Sequence, residues 1–143
     1  MSETEAAALK PVTSFVKIPD AGAPYLQGSK CTQCGEVQVG DRTVCPKCGA
    51  RDAMQTVKLA DRGRLYNFTV VYRNFPGIEV PFVSAIVDLD GGGTLKGNLV
   101  DVEPDPAKLK FDMPVKVVFR EAGRTDKAGN RYLSYFFAPA EAA

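Results

Sequence analysis

The sequence predicts a mainly β protein in which a rubredoxin-like zinc ribbon is followed by a five-stranded OB-fold barrel. Three observations support this prediction. Four cysteines stand in two Cys-x-x-Cys-Gly units, apolar residues alternate with polar ones over much of residues 60–139, and only one short segment within that region carries a helix signal. We divide the 143 residues into an amino-terminal arm (1–24), a zinc ribbon (25–58) and the barrel (59–143).

The amino-terminal arm is rich in proline and glycine, so regular structure in it should be short. Ser2 and Glu5 have the spacing of a helix capping box, which predicts one or two helical turns over residues 6–9. The first ten residues lack the apolar core of a signal peptide. No apolar run approaches the roughly 20 residues that span a bilayer. We therefore expect a cytoplasmic protein with no membrane contact.

The ribbon contains every cysteine of the chain, Cys31, Cys34, Cys45 and Cys48. Two cysteines separated by two residues can bind one ion from a tight turn, and the glycine after each pair permits the positive φ of that turn. Four thiolates make a closed tetrahedral zinc site with no free position for a substrate. We predict one structural Zn²⁺, with rubredoxin-type iron and a pair of disulfides as the alternatives.

Five segments of the barrel region have the alternation or the β-branched composition of strands, and they cover 63–73, 82–88, 94–100, 115–120 and 131–137. In the first of them, the alternation puts Tyr66, Phe68, Val70 and Tyr72 on the apolar face. Five strands joined by hairpin turns favour a partly open OB barrel. A different small barrel or a sandwich is compatible with the same pattern.

Two breaks between these strands carry turn signals. The run Asp90-Gly91-Gly92-Gly93 predicts a hairpin turn, with a phosphate-binding loop as the functional alternative. Asp105 followed by Pro106 predicts a single helical turn with aspartate as its cap. The carboxylates in and near these breaks are expected to solvate loops rather than to form a catalytic pair; they are Asp88, Asp90, Asp101, Glu103 and Asp105.

The inventory of reactive side chains argues against catalysis by this chain alone. It has no histidine, which excludes Ser-His-Asp and Cys-His arrangements, and no thiolate is free if all four cysteines hold a metal. The net charge is +1, from 18 basic and 17 acidic side chains, whereas proteins that bind nucleic acid through phosphates usually show a basic face. Binding of single-stranded nucleic acid by the barrel is therefore kept only as an alternative function.

The segment 74–82 is loop-like but carries four apolar side chains, Phe75, Ile78, Val80 and Phe82. Exposed apolar patches tend to mark interfaces, so we predict that these residues contact a partner subunit. The alternative is a loop that folds back over the mouth of the barrel.

The order of these parts resembles the zinc-ribbon/OB-fold acyl-CoA-associated protein family. The resemblance covers about residues 25–138. It rests on the two cysteine units, the strand Gly-Arg-Leu-Tyr-Asn-Phe-Thr-Val-Val, a Pro-Phe dipeptide, the Gly-Gly-Gly turn and the strand Met-Pro-Val-Lys-Val-Val-Phe. Pro81-Phe82 stands where many members have Pro-Tyr, so no role of a tyrosine hydroxyl carries over.

This resemblance implies a non-catalytic accessory subunit that forms a hetero-oligomer with a thiolase-fold catalytic subunit. Such a subunit is required for the acyltransferase activity of the complex and helps to bind or position the CoA thioester, including in the degradation of aromatic compounds. It also implies that the four cysteines are the zinc ligands. Arg62, Arg64 and Arg73 are candidate contacts for the CoA phosphates, with solvated charge at the barrel rim as the alternative. A standalone carrier of acyl-CoA or lipid is a further alternative.

Overall fold

The computed structural model describes residues 9–141, and for Arg124 the backbone only. Apart from Leu9, the helical turn expected over 6–9 lies outside the described residues. The strands are β1 (Lys10–Pro11), β2 (Val16–Lys17), β3 (Tyr25–Cys31), β4 (Val37–Val39), β5 (Met54–Lys58), β6 (Arg62–Val71), β7 (Phe82–Leu89), β8 (Thr94–Leu99), β9 (Pro114–Thr125) and β10 (Arg131–Pro139), with one 3₁₀ turn at Pro106–Lys108. Within the described range, no helix is long and apolar enough to span a membrane.

Strands β6 to β10 close into a five-stranded barrel. The pairs β6–β7, β7–β8, β9–β10 and β6–β9 are antiparallel, whereas β8 and β10 are parallel and meet at Leu99 and Phe137. This closed Greek-key arrangement is that of an OB fold, so the predicted fold class is confirmed. The five strands predicted from the sequence are all present, with ends that differ by up to five residues.

The apolar face of β6 differs from the prediction. Leu65 is fully buried, whereas Tyr66 and Tyr72 are 63% and 62% exposed. Tyr66 is an extra residue at a bulge in the pairing of β6 with β7. An extra residue shifts the alternation of side chains by one position, so Phe68 and Val70 face the core beyond the bulge. Tyr72 follows the end of β6 at Val71 and lies in the loop. The assignment of both tyrosines to the apolar face was therefore wrong, Tyr66 because of the bulge and Tyr72 because the strand ends before it.

The ribbon consists of a small sheet around β3, which pairs with β2 and β4 on one side and with β5 on the other. This sheet and the barrel share one hydrophobic core, because Val16, Leu26 and Leu59 lie in the same buried cluster as the barrel residues. The ribbon sheet is thus anchored on the barrel by its own buried side chains rather than joined to it by a free linker.

The glycine run between β7 and β8 is a hairpin turn, as predicted, and it also positions the ribbon. Gly91, Gly92 and Gly93 all have positive φ, and the Gly92 N–H donates to the Leu89 carbonyl at 3.1 Å. A Cβ at Gly92 would lie 2.7 Å from the Cβ of Val37 in the ribbon. A side chain at this position would therefore push the ribbon away from the barrel.

The predicted helical turn is present as the 3₁₀ turn at Pro106–Lys108. The carboxylate of Asp105 accepts a hydrogen bond from the Ala107 N–H at 3.0 Å, which caps the turn. The chain then inserts Leu109 into the core, and Phe111 packs against Phe68 with 5.3 Å between the ring centroids.

Candidate metal centre

The structure brings the four cysteine sulfurs into one cluster. All four Sγ atoms lie within 4.8 Å of one another. The Sγ atoms of Cys31 and Cys48 are 3.7 Å apart, and those of Cys34 and Cys45 are 3.6 Å apart. A tetrahedral zinc with Zn–S bonds of about 2.3 Å requires sulfurs about 3.8 Å apart. The cluster therefore fits a four-thiolate zinc ion.

Two equivalent turns hold these sulfurs. In the first, the Gly35 N–H donates to the Cys31 carbonyl at 2.9 Å, and in the second the Gly49 N–H donates to the Cys45 carbonyl at 2.9 Å. Both glycines have φ near +80°, yet a Cβ would find no atom within 4 Å at either position. Glycine is required there by backbone conformation and not by crowding.

The first cysteine of each pair is buried and the second is exposed. Backbone N–H groups in each turn point at the buried sulfur. The N–H groups of Cys34 and Gln33 lower the pKa of Cys31 to about 7. The turn at Cys45 lowers the pKa of that thiol in the same way, chiefly through the N–H of Cys48. These turns therefore favour the thiolate, which is the form that binds metal.

The exposed ligand Cys34 shows why the cluster needs a cation. The N–H of Glu36 acts to lower its pKa, but burial of the sulfur and its hydrogen bonds with the other cysteines raise the pKa to about 12. Four sulfurs this close cannot all ionise without a positive ion between them. The disulfide alternative does not fit, because all four cysteines are free and the sulfur pairs are well beyond the roughly 2.05 Å of an S–S bond.

The loop 72–81, which joins β6 to β7, presents part of the predicted partner interface. Phe75 is 79% exposed and Val80 is 37% exposed, whereas Ile78 and Phe82 are half-buried. The loop is held by its own hydrogen bonds: the Phe75 N–H donates to the side chain of Asn74 at 2.7 Å, and the Ile78 N–H donates to the Phe75 carbonyl at 3.2 Å. Phe75 thus points into solvent and does not fold back over the barrel.

The three arginines proposed as phosphate contacts do not lie together. Arg62 and Arg64 are exposed on one face at the start of β6, where the strand pairs with β9. Arg73 follows the other end of that strand, roughly 30 Å further along the chain path. The Arg64 guanidinium donates to the Asp112 carbonyl at 3.2 Å. Only the first two arginines can therefore act as one group.

A cleft of about 630 Å³ lies between the ribbon and the barrel. Val57 and Leu59 line it from the ribbon side and Phe119 from β9. At its rim, the Lys58 ammonium lies 5.3 Å from the centroid of the Tyr25 ring. This cleft was not predicted from the sequence, because its walls are far apart in the chain and no local motif marks them.

The carboxylates near the turns have structural partners. Asp88 accepts a hydrogen bond from the Thr94 hydroxyl at 2.7 Å, and Asp101 forms a two-bond ion pair with Arg120. The Arg120 guanidinium holds the pKa of Asp101 below its ordinary value. Asp105 caps the 3₁₀ turn, so each of these three carboxylates has a structural hydrogen-bond partner.

Two family models match the chain in succession. Residues 20–54 match the rubredoxin-like zinc ribbon domain of ChsH2, and residues 56–120 match the carboxyl-terminal OB-fold domain of ChsH2. The ribbon match and the geometry of the sulfurs together support zinc as the ion of this site.

Among similar proteins, a DUF35 domain-containing scaffold protein of Methanocaldococcus jannaschii is 32% identical over 81% of this chain and 82% of its own length. The benzoylsuccinyl-CoA thiolase subunit BbsA of Thauera aromatica is 28% identical over 82% of this chain and 78% of its own length. Among solved structures, a chain of the Ltp2-ChsH2(DUF35) aldolase aligns with a TM-score of 0.62 at 30% identity, over 82% of this chain and 86% of that chain.

Proposed function

The chain belongs to the DUF35 family of zinc-ribbon and OB-fold proteins, and from this membership we propose that it is the non-catalytic subunit of a thiolase-type acyl-CoA enzyme. The observation that carries the proposal is the closed four-thiolate centre in a chain without histidine. Similar proteins include a thiolase subunit and a chain of an aldolase. Acyl groups from the breakdown of aromatic compounds are among the proposed substrates, by analogy with the benzoylsuccinyl-CoA thiolase subunit.

Thiolase chemistry requires a cysteine nucleophile and a general base. Here the four cysteines converge on one position, and a single zinc ion there leaves no thiolate free to attack a thioester. The site has no open coordination position for water or substrate, so the ion would stabilise the ribbon and take no part in turnover. The partner subunit would therefore supply both the nucleophile and the base.

We place the partner contact on the loop 72–81. Its tip residue Phe75 is the most exposed of the large apolar side chains among the described residues. The internal hydrogen bonds of the loop hold the backbone at Phe75 in place before binding, which lowers the entropy cost of association. An aromatic side chain presented in this way has the character of an interface hot spot.

The CoA thioester would approach where the ribbon meets the barrel. The apolar wall at Leu59 and Phe119 would cover the acyl or pantetheine part. Arg62 follows Asp61 of the cleft lining in the chain, and together with Arg64 it is our proposed contact for the phosphates. In this arrangement the ribbon and barrel form one side of the substrate passage, and the catalytic subunit forms the other.

Replacing Phe75 with alanine is expected to weaken the complex with the thiolase-type subunit about 30-fold, which corresponds to about 2 kcal/mol, because a central aromatic anchor is lost. The thermal midpoint of the isolated chain should not change, since the ring contributes little to the core. Titration calorimetry of the co-produced partner measures this. Tyr66→Ala is the matched control, because Tyr66 is also 63% exposed but lies on the outer face of β6. Equal affinities for the wild type and Phe75→Ala would contradict this placement.

A further inference from the structure

A second concave site lies on the side of the loop 72–81 that faces away from solvent. It is a groove of about 760 Å³ between this loop and the β9–β10 hairpin. These two loops join the first to the second and the fourth to the fifth strand of the barrel, and OB folds bind ligands with the same two loops. The floor is apolar and is formed by Val12, Ile78, Phe82, Leu99, Val100 and Phe136.

The polar lining of this groove is acidic. Its charged members are Glu79 and Asp126, and no lysine or arginine lines it among the residues with described side chains. Asp126 accepts hydrogen bonds from the Asn130 side chain and the Tyr132 hydroxyl, each at 2.8 Å, and from the Ala128 N–H at 2.9 Å. These bonds, those of Asn130 above all, lower the pKa of Asp126 to about 2, so its carboxylate is ionised at neutral pH.

This charge argues against the usual ligands of OB folds. A nucleic acid, or the phosphates of CoA, would meet the carboxylates of Glu79 and Asp126, with no lysine or arginine among the lining residues whose side chains the structure describes. The groove instead complements a ligand that combines an apolar side chain with a positive charge. Its volume lies in the range of about 300–1,000 Å³ that is usual for sites that enclose such groups.

We propose that an extended segment of a partner protein, with an apolar side chain next to a lysine or arginine, binds in this groove. Ile78 and Phe82 on its floor continue into the exposed apolar tip at Phe75 and Val80, so one partner can cover the tip and fill the groove. The identification of this partner as the thiolase-type subunit rests on the function proposed above. The charge of the groove then selects the partner, and the tip supplies the aromatic anchor.

The probe is a short peptide, acetyl-Gly-Lys-Val-Phe-Lys-Gly-amide, titrated into the ¹⁵N-labelled full chain. We expect chemical-shift changes at the amides of Ile78, Val100 and Ala122, and an affinity about fivefold higher than for the same peptide with glutamate in place of both lysines. Glu79→Lys should remove this preference. Glu103→Lys, the same change at an exposed residue outside the groove, should keep it.

Equal binding of both peptides, or shifts outside the groove only, would overturn the inference. Movement of the groove amides by CoA or by a single-stranded oligonucleotide would overturn it as well. The thiolase-type subunit provides a separate readout. If the peptide prefers the groove but the subunit forms no complex, the groove inference stands and the proposed function fails. If the subunit binds while the peptides show no preference for the groove, the groove inference fails and the proposed function stands.

Discussion

Replacing Cys45 with serine is expected to abolish zinc binding and to unfold the ribbon. Cys45 is 1% exposed, and its sulfur lies 3.6 Å from that of Cys34, so its loss leaves three ligands around a gap in the buried half of the site. Four-ligand zinc sites in small peptides contribute about 10–16 kcal/mol to folding. We expect a loss of about 5 kcal/mol or more here, since the ribbon also packs on the barrel through Leu26 and Leu59.

Two measurements test this prediction. Elemental analysis should find one zinc per wild-type chain and less than about one tenth of that in Cys45→Ser. Hydrogen exchange should show lost protection over β3, β4 and β5, with the barrel strands protected. Lys47→Ala is the control in the same turn, because the Lys47 ammonium is exposed and pairs with Glu36 only at 3.9 Å. A Cys45→Ser protein with full zinc and unchanged stability would contradict a structural role of the metal.

Replacing Phe137 with alanine is expected to lower the free energy of unfolding by about 3–5 kcal/mol. Phe137 is 0% exposed, and it stands at the seam where β10 meets β8 in the one parallel pairing of the barrel strands, opposite Leu99. Its carbonyl accepts a hydrogen bond from the Val100 N–H at 2.7 Å. Loss of the ring leaves a cavity beside Gly97, which has no side chain to fill it.

Urea unfolding followed by circular dichroism measures this effect. Phe111→Ala serves as the control for removing an aromatic ring, because Phe111 is 66% exposed and should cost less than about 1 kcal/mol. Zinc content should stay unchanged in both variants, since the metal site lies in the ribbon. A Phe137→Ala protein as stable as Phe111→Ala would show that the seam between β8 and β10 does not hold the barrel together.

Features encoded by residues close in sequence could be predicted here. The cysteine spacing and the following glycines specify the metal turns, and the alternation in β9 and β10 specifies two strands without reference to their partners. The bulge at Tyr66 could not be predicted in this way. It depends on how β6 pairs with β7, and one extra residue reverses the inward face for the rest of the strand.

The candidate sites also differ in whether residues close in sequence or distant in sequence form them. The clustering of the four cysteines and the exposed position of Phe75 follow from local patterns. The separation of Arg73 from Arg62 depends on the length of β6 in the folded structure. The cleft and the groove likewise depend on how distant segments of the chain pack together. The groove joins Val12 to Phe136, which no sequence motif relates, and its acidic character comes from two separate loops.

The most direct test of the central claim is the rate of acyl-CoA turnover by the thiolase-type subunit, measured alone, with this chain, and with Cys45→Ser in its place. The proposed function predicts no turnover by either chain alone, full turnover when both are present, and at least a tenfold loss with the variant, because an unfolded ribbon cannot form its side of the substrate passage. A catalytic subunit that is fully active without this chain, or turnover by this chain alone, would contradict the account.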